Sequence, residues 1–589
     1  MNHRFVIRAS IVCGALLCAA TAARAQTISF GKSLLGGTGL TNPTALQFGP
    51  DGRLYVTQQN GTILIYTVSR SGPNAYVAAA TQTITLVRDI LNHDDDGTPD
   101  PSVTGREVTG ILVVGTAANP VIYVASSDPR IGAGASGTDS NLDTNSGILS
   151  RLTWNGSAWS KGDLVRGLPR SEENHATNGL ALNTAGTVLY MAQGGNTNMG
   201  APSNNFALLP EYALSAAVLS VDLTAVGNTT YDLPTLDDPL ASRNTGTPGV
   251  DLNDPFGGND GANQAKLVPG GPVQVYASGF RNPYDLVLNS AGRLYTIDNG
   301  PNAGWGDVPI GEGGSSCTNG VHEPGVTLND NLHYITGAGF YGGHPNPTRG
   351  NRANTFNGQS PVSVSDPVQC DYRQPGVNDG ALATFGASTN GLAEYTASNF
   401  SGVMDGNLLA ASFDNSIYRI VLSSDGTQAT SVTTLFSSVG GTPLDVWAQG
   451  SSGPFSGTIW VADYANNDIV VYEPNDFISC TGAYTTALDE DGDGFTNADE
   501  IDNGTNPCSA GDVPPDFDGD HLSNLNDPDD DNDGLPDTTD KFAVDPNNGM
   551  TTNLPLLLTW DNDAPHPGGL LDLGFTGLMT NGTSNYASL

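Results

Sequence analysis

The chain has 589 residues, 38% of them hydrophobic and 7% aromatic, which is enough for a buried core and too long for one ordinary domain. Sixty-one acidic against 22 basic side chains leave a formal charge of −39. A surface of that sign repels phosphate and excludes nucleic acid as a partner, while 74 Gly and 37 Pro punctuate the chain densely and point to β-structure with many turns.

Residues 1–25 read as a secretory signal peptide: Arg4 and Arg8, an apolar run from Ile11 to Ala22, then Ala23-Arg24-Ala25 before Gln26. Cys18 follows the bulky Leu17, which argues against lipid attachment. No other stretch approaches about 18 uninterrupted apolar residues, so no transmembrane segment is expected. The mature chain is expected to be secreted, extracellular or periplasmic. Its four cysteines allow three pairings, of which Cys317 with Cys370 and Cys480 with Cys508 is favoured because each pair lies within one local segment.

From about residue 40 to 475 a short pattern recurs: a hydrophobic strand, a Gly-containing turn, and a second strand rich in Leu, Ile, Tyr and Val. The clearest copy is Pro43 to Val56 with its Asp51-Gly52 turn, followed by Gly61 to Tyr66. Related copies begin near Val108, His175, Asn282, Ala393 and Thr442. Six antiparallel repeats predict an all-β, six-bladed propeller over residues 26–476. Long insertions at about 223–270 and 301–390 have little apolar periodicity, and loops of that length usually build a binding face.

The composition changes at Cys480. Residues 489–545 carry nineteen acidic side chains and one basic one, Lys541, so no ordinary core forms there; the segment must stay disordered or fold around cations. Asp489, Asp491, Asp493 and Asn497 stand at positions 1, 3, 5 and 9 of a loop with Gly494 at 6 and Glu500 at 12, an EF-hand spacing to which the Phe495 carbonyl adds an oxygen. Asp516, Asp518, Asp520 and Asn524 form a second cluster, with His521 where Gly is preferred. Asp529, Asp531, Asp533 and Asp537 form a third. These 60 or so residues resemble a thrombospondin type 3 repeat array, assigned to 477–548, which implies bound calcium. After Asn553 a strand-like run, Leu554 to Trp560, opens an incomplete C-terminal β-domain over 549–589, as though the sequence were truncated.

Polar clusters fall at the ends of predicted propeller strands, where residues far apart in sequence can converge on the central channel. Val108-Thr-Gly-Ile111, His175-Ala-Thr-Asn-Gly179, Gly279-Phe-Arg-Asn-Pro283, Gly300-Pro-Asn302 and Tyr341-Gly-Gly-His-Pro345 occur in the order of motifs in the glucose/sorbosone dehydrogenase family, which the chain resembles over about 430 residues. The resemblance implies a sugar oxidation by hydride transfer to pyrroloquinoline quinone, with His175 as base, Arg281 and Asn282 on the quinone, and the Gly300 and Pro301 carbonyls on a calcium ion.

The sequence departs from that family where the quinone carboxylates need cations. Leu408 to Asn415 has no Lys and Thr442 to Val446 no Arg, which leaves Arg349, Arg352, Arg373 and Arg419 as possible replacements. The His175 motif also carries one extra residue before its Gly. The alternative is a non-catalytic propeller that binds carbohydrate or protein, such as a cell-surface or matrix partner, on a calcium-stiffened stalk. No convergent Glu/Asn/Asp set recommends a metal-dependent hydrolase.

Overall fold

The computed structural model describes residues 27–236, 254–322, 329–386, 388–477, 482–486, 488–491, 493–508, 511–546, 577–581 and 584–588. The signal segment, the run Leu554 to Trp560 and Cys480 with its expected bridge to Cys508 lie outside them. The chain divides into two compact units: one holds Met1–Thr481 with Asp491–Asp493 and Cys508–Asp512, and the other holds the remaining residues from Gly482 on.

The first unit is a six-bladed β-propeller of four-stranded antiparallel blades. Blade 1 is Pro43–Phe48, Leu54–Gln58, Ile63–Gly72 and Ala75–Ile84; blade 2 runs from Leu112–Gly115 to Trp159–Leu168, blade 3 from Thr177–Leu182 to Val273–Ser278 and blade 4 from Pro283–Leu288 to Ala383–Phe385. Blade 5 spans Thr389–Tyr395 to Ala429–Ser437, and blade 6 begins at Pro443–Ala448. The second strands coincide with the short apolar runs of the sequence, because these are sandwiched between neighbouring blades: Leu54, Tyr55 and Val56 are fully buried, as are Trp460 and Val461 in blade 6.

The ring is closed by the chain's beginning. Phe30–Leu34 pairs antiparallel with Asp468–Pro474 and supplies the outermost strand of blade 6. Arg70 grips Glu473 with two hydrogen bonds of 2.7 and 2.8 Å, and Tyr76 donates to the same carboxylate at 2.5 Å. Phe48, Tyr76, Phe455 and Trp460 meet edge-on at the same seam.

Five innermost strands share a register shift near their start, at Pro43/Ala45, Thr177/Leu180, Pro283/Asp285, Thr389/Leu392 and Pro443/Asp445. A bulge bends each strand at the same end of the channel, and three begin with a proline that has no amide to pair. Polar side chains beyond the bulges join neighbouring blades: Gln47 exchanges two hydrogen bonds with Val113, Asp285 accepts from Leu392 N, and Asp445 accepts from Leu46 N, all at 2.7 to 2.8 Å.

The insertions are less featureless than their composition suggests. Residues 301–390 contain two strands of blade 4, Asp330–Ile335 and Ala383–Phe385. Tyr231–Asp232 adds a parallel edge to blade 2, and Phe340–Tyr341 one to blade 3. Cys317 and Cys370 form the expected disulfide, both fully buried. Among the described residues no helix is long and apolar enough to cross a membrane. At the C-terminal end Gly577–Asn581 and Ser584–Ser588 form an antiparallel hairpin.

Candidate functional site

The starts of innermost strands 3 and 4 bring the sequence-predicted propeller residues together. His175 lies just before blade 3 and is 3% exposed. Its Nδ1 lies 2.8 Å from the carbonyl of Gly195, which can only accept, so Nδ1 carries the proton and Nε2 the lone pair. Burial, reinforced by the Arg281 charge, holds the imidazole well below its ordinary range and therefore neutral. Nε2 stands 3.5 Å from Oε2 of Glu173, a carboxyl group that burial pushes up.

Arg281 and Asn282 occupy the turn into blade 4, where one carboxylate organises both. Asp298 accepts from Arg281 N at 3.1 Å and from Asn282 N at 2.8 Å. The Arg281 Nε donates to Asn198 Oδ1 at 3.2 Å, and Asn282 bridges Asn178 and Asn299 at 3.0 Å each. Gly300 donates its amide to Asp330 at 2.9 Å; a Cβ here would stand 1.9 Å from the Asn329 carbonyl, so only glycine permits the approach. Asn198 also holds Asn302 through both its amide and its carbonyl.

Three residues that the sequence did not single out complete this region. Phe206, Asn198 and Glu211 come from the stretch 195–216, which has no periodicity to mark it. The Phe206 ring packs 5.2 Å from the His175 ring and 5.8 Å from the Arg281 guanidinium, and is itself fully buried. Glu211 accepts from Thr197 and pairs with His344 at 2.9 Å, which gives the histidine of the Tyr341 to Pro345 motif a structural partner. Burial works to raise the Glu211 carboxyl, but the His344 bond and charge and the Ser215 and Thr197 hydroxyls outweigh it and hold it low.

The residues present do not fit a tricarboxylate quinone. The cavity lined by Arg281, Asp298, Gly300, Pro301 and His344 has a volume of about 20 Å³, room for one water-sized guest. The Phe206 ring lies against both His175 and Arg281. The replacement cations are also committed elsewhere: Arg349 donates to the carbonyls of Ala213, Ser215 and Ala216, Arg373 to Asp371 and Tyr341, and Arg419 to Asn407 and Val403. Arg352 is exposed. Asp414 is exposed in the turn between the second and third strands of blade 5, and Asp463 is spent on the amides of Gly441 and Thr442. A calcium ion at Gly300 and Pro301 would share its cavity with the Arg281 guanidinium.

A larger cavity, about 760 Å³, lies along the innermost strands and is lined by Leu46, Leu180, Leu286, Leu392 and Val446. Asp285 and Asp445 face it; burial, then the Asp445 charge, drives Asp285 well above the carboxylate range, and burial pushes Asp445 up to about 7. Burial also pushes Asp298 up to about 7. Carboxyl groups that bind protons more tightly in the folded state contribute stability that is complete below about pH 4, their unfolded value, and lost as pH rises through about 7. The urea midpoint of the propeller, read in saturating calcium, is expected to be lower at pH 8 than at pH 5; an unchanged or higher midpoint at pH 8 contradicts this assignment.

After the propeller, the three acidic clusters share one geometry. Asp489, Asp491 and Asp493 bring carboxylate oxygens within 4.8 Å of one another, as do Asp516, Asp518 and Asp520, and Asp529, Asp531 and Asp533. In each loop the first carboxylate accepts from the amide at position 6, from Gly494, His521 and Gly534 at 2.9 to 3.1 Å. These three residues have φ of 110°, 71° and 92°, so His521 occupies a left-handed conformation that glycine takes in the other two loops.

Asn497, Asn524 and Asp537 occupy position 9, and each accepts from the amide at position 2, from Glu490, Phe517 and Asp530. The same side chain that the sequence offers as a ligand thus also closes the loop. Asn497 spends its amide on Glu490 and Ala483 as well. Glu500 is buried in the helix Asn497–Asn503, capped by Thr496, and the Phe495 ring meets His521 at 5.6 Å. Asp499 ties the first loop to the second through Ser523 and Asn526. Buried oxygens of Asp529 and Asp531 have no hydrogen-bond partner. Oxygens only, at these separations, suit a hard cation with 2.3–2.6 Å bonds, and the three triads would hold it.

No protein-family model and no curated protein sequence matches the chain. Among solved structures it is similar to the aldose sugar dehydrogenase of Streptomyces coelicolor in its PQQ-bound form (16% identity, 77% of this chain and 100% of that one, TM-score 0.40). It is similar also to the soluble aldose sugar dehydrogenase of Escherichia coli in its apo-form (14% identity, 76% and 100%, TM-score 0.41). A third is the holo PQQ domain of pyranose dehydrogenase from Coprinopsis cinerea (11% identity, 75% and 97%, TM-score 0.40). The fold assignment itself rests on the six blades and their closure.

Proposed function

We propose that this chain is an exported, calcium-binding recognition protein, a propeller of sugar-dehydrogenase type that engages a glycan or a protein of the cell surface or matrix without quinone chemistry. The observations that carry this reading are the Phe206 ring, which packs against both His175 and Arg281, and the cavity of about 20 Å³ that Arg281 lines. The acidic triads support a calcium-stiffened segment after the propeller. The disulfide between Cys317 and Cys370 suits an oxidising compartment.

A second reading, a sugar dehydrogenase using pyrroloquinoline quinone and calcium, is favoured by one feature: a neutral His175 with its Nδ1 proton fixed by Gly195 is arranged as a base at Nε2. Titration of the full chain with the quinone in calcium separates the two. The recognition protein gives no saturable binding, and glycan-array and matrix-protein binding in calcium then identifies its ligand.

A further inference from the structure

A fourth acidic cluster lies in the propeller, outside the residues discussed so far. Asp139, Glu172 and Asp260 each offer a carboxylate oxygen within 4.8 Å of the others. They come from three separate loops: one between the second and third strands of blade 2, one leading into blade 3, and one in the insertion after blade 3's third strand.

The floor of this cluster is Glu172. It is fully buried, and its Oε1 has no hydrogen-bond partner. Its Oε2 is fixed by Ser140, through the amide at 2.9 Å and the hydroxyl at 2.8 Å, so the carboxylate has one defined orientation. Gly132 makes the approach possible, since a Cβ there would lie 2.4 Å from Oε2, and its amide holds the Glu172 carbonyl at 2.7 Å. Asp139 and Asp260 are exposed and form the rim.

A buried carboxylate with an unsatisfied oxygen is costly unless a cation or donor completes it. Among the described residues, no Lys, Arg or His forms an ion pair with any of the three. The nearby arginines are taken: Arg130 by Asp94 and Asp128, Arg170 by Glu107. Oxygens up to 4.8 Å apart span the diameter of a shell with bonds of about 2.4 Å, and an open rim leaves room for the waters that calcium keeps.

We propose that Asp139, Glu172 and Asp260 bind a calcium-class divalent cation that clamps these three loops. The cation has a second consequence three residues along the chain. Ser171 and His175 exchange two hydrogen bonds of 3.0 Å, one from each amide, so a fixed Glu172 fixes the loop that ends at His175. The site does not depend on whether a quinone binds.

The test counts bound calcium on the full chain by native mass spectrometry after chelation and refilling with calcium alone. Glu172→Gln and Asp260→Asn are each expected to bind one ion fewer than the parent. Asp518→Asn, in the acidic repeats, serves as a control for an ion lost elsewhere, and Asp260→Asn combined with Asp518→Asn is expected to lose two. Asp260 lies on the exposed rim, so its variant carries the test if Glu172→Gln fails to fold. A folded Asp260→Asn that keeps the full complement of ions overturns the proposal.

Discussion

Chelation of calcium is expected to turn residues 482–546 from a protease-resistant unit into a readily cleaved one, while the propeller keeps its β-sheet circular dichroism. The reason is that most large apolar side chains described in this segment lie outside any core. Leu488, Val513, Phe517, Leu525, Leu535 and Phe542 are exposed rather than packed into a core, and among the described residues the one helix there has seven residues. Three triads of carboxylates crowd oxygens within 4.8 Å, which repel one another once the cation is gone. Ligand linkage adds about 2.7 kcal/mol per site at a hundredfold excess over the dissociation constant, so three sites dominate the stability of a segment this size. Limited proteolysis with and without chelator, fragments read by mass spectrometry, checks this. Resistance that survives chelation would show that the hydrogen-bonded frame of position 9 and position 6 holds the loops unaided.

Asp298→Ala is expected to destabilise the propeller by about 2–6 kcal/mol. The buried amides of Arg281 and Asn282 both lose their acceptor, and each buried donor left unsatisfied costs about 1–3 kcal/mol. Arg281, itself 4% exposed, loses a nearby negative charge as well. Asp298→Asn keeps one carbonyl oxygen for one of the two amides and is expected to cost about half as much. Urea denaturation in saturating calcium measures both, and a loss below about 1 kcal/mol for the alanine variant would mean that the turn is held by something other than this carboxylate.

The blades were legible because second strands such as Leu54–Gln58 and Ile459–Asp463 are buried on both faces and open on a run of three or four apolar residues. Strands whose pairing is set by tertiary context were not. Phe30–Leu34 is only half-buried and finds its partner at the far end of the propeller, and Asp330–Ile335, sequence DNLHYI, looks like loop until its neighbours in blade 4 bury it. The site divides in the same way. His175, Arg281, Asn282 and Gly300 sit in short motifs that local sequence marks, whereas Phe206 acts across a distance no spacing encodes. In the acidic repeats the Asp/Gly register identified the triads. The role of Asn497, Asn524 and Asp537 did not follow from it, because a side chain that accepts from a backbone amide and one that ligates an ion look alike in sequence.

The central claim is that the propeller keeps its His175 and Arg281 but leaves no room for a quinone in the cavity that Arg281 lines, and titration of the full chain with pyrroloquinoline quinone in millimolar calcium tests it most directly. Quinone absorbance is the readout, with Phe206→Ala and Arg281→Ala alongside. The parent chain is expected to show no saturable change, whether or not Phe206→Ala gains weak binding. Stoichiometric binding by the parent, abolished in Arg281→Ala, would contradict the claim and restore the dehydrogenase.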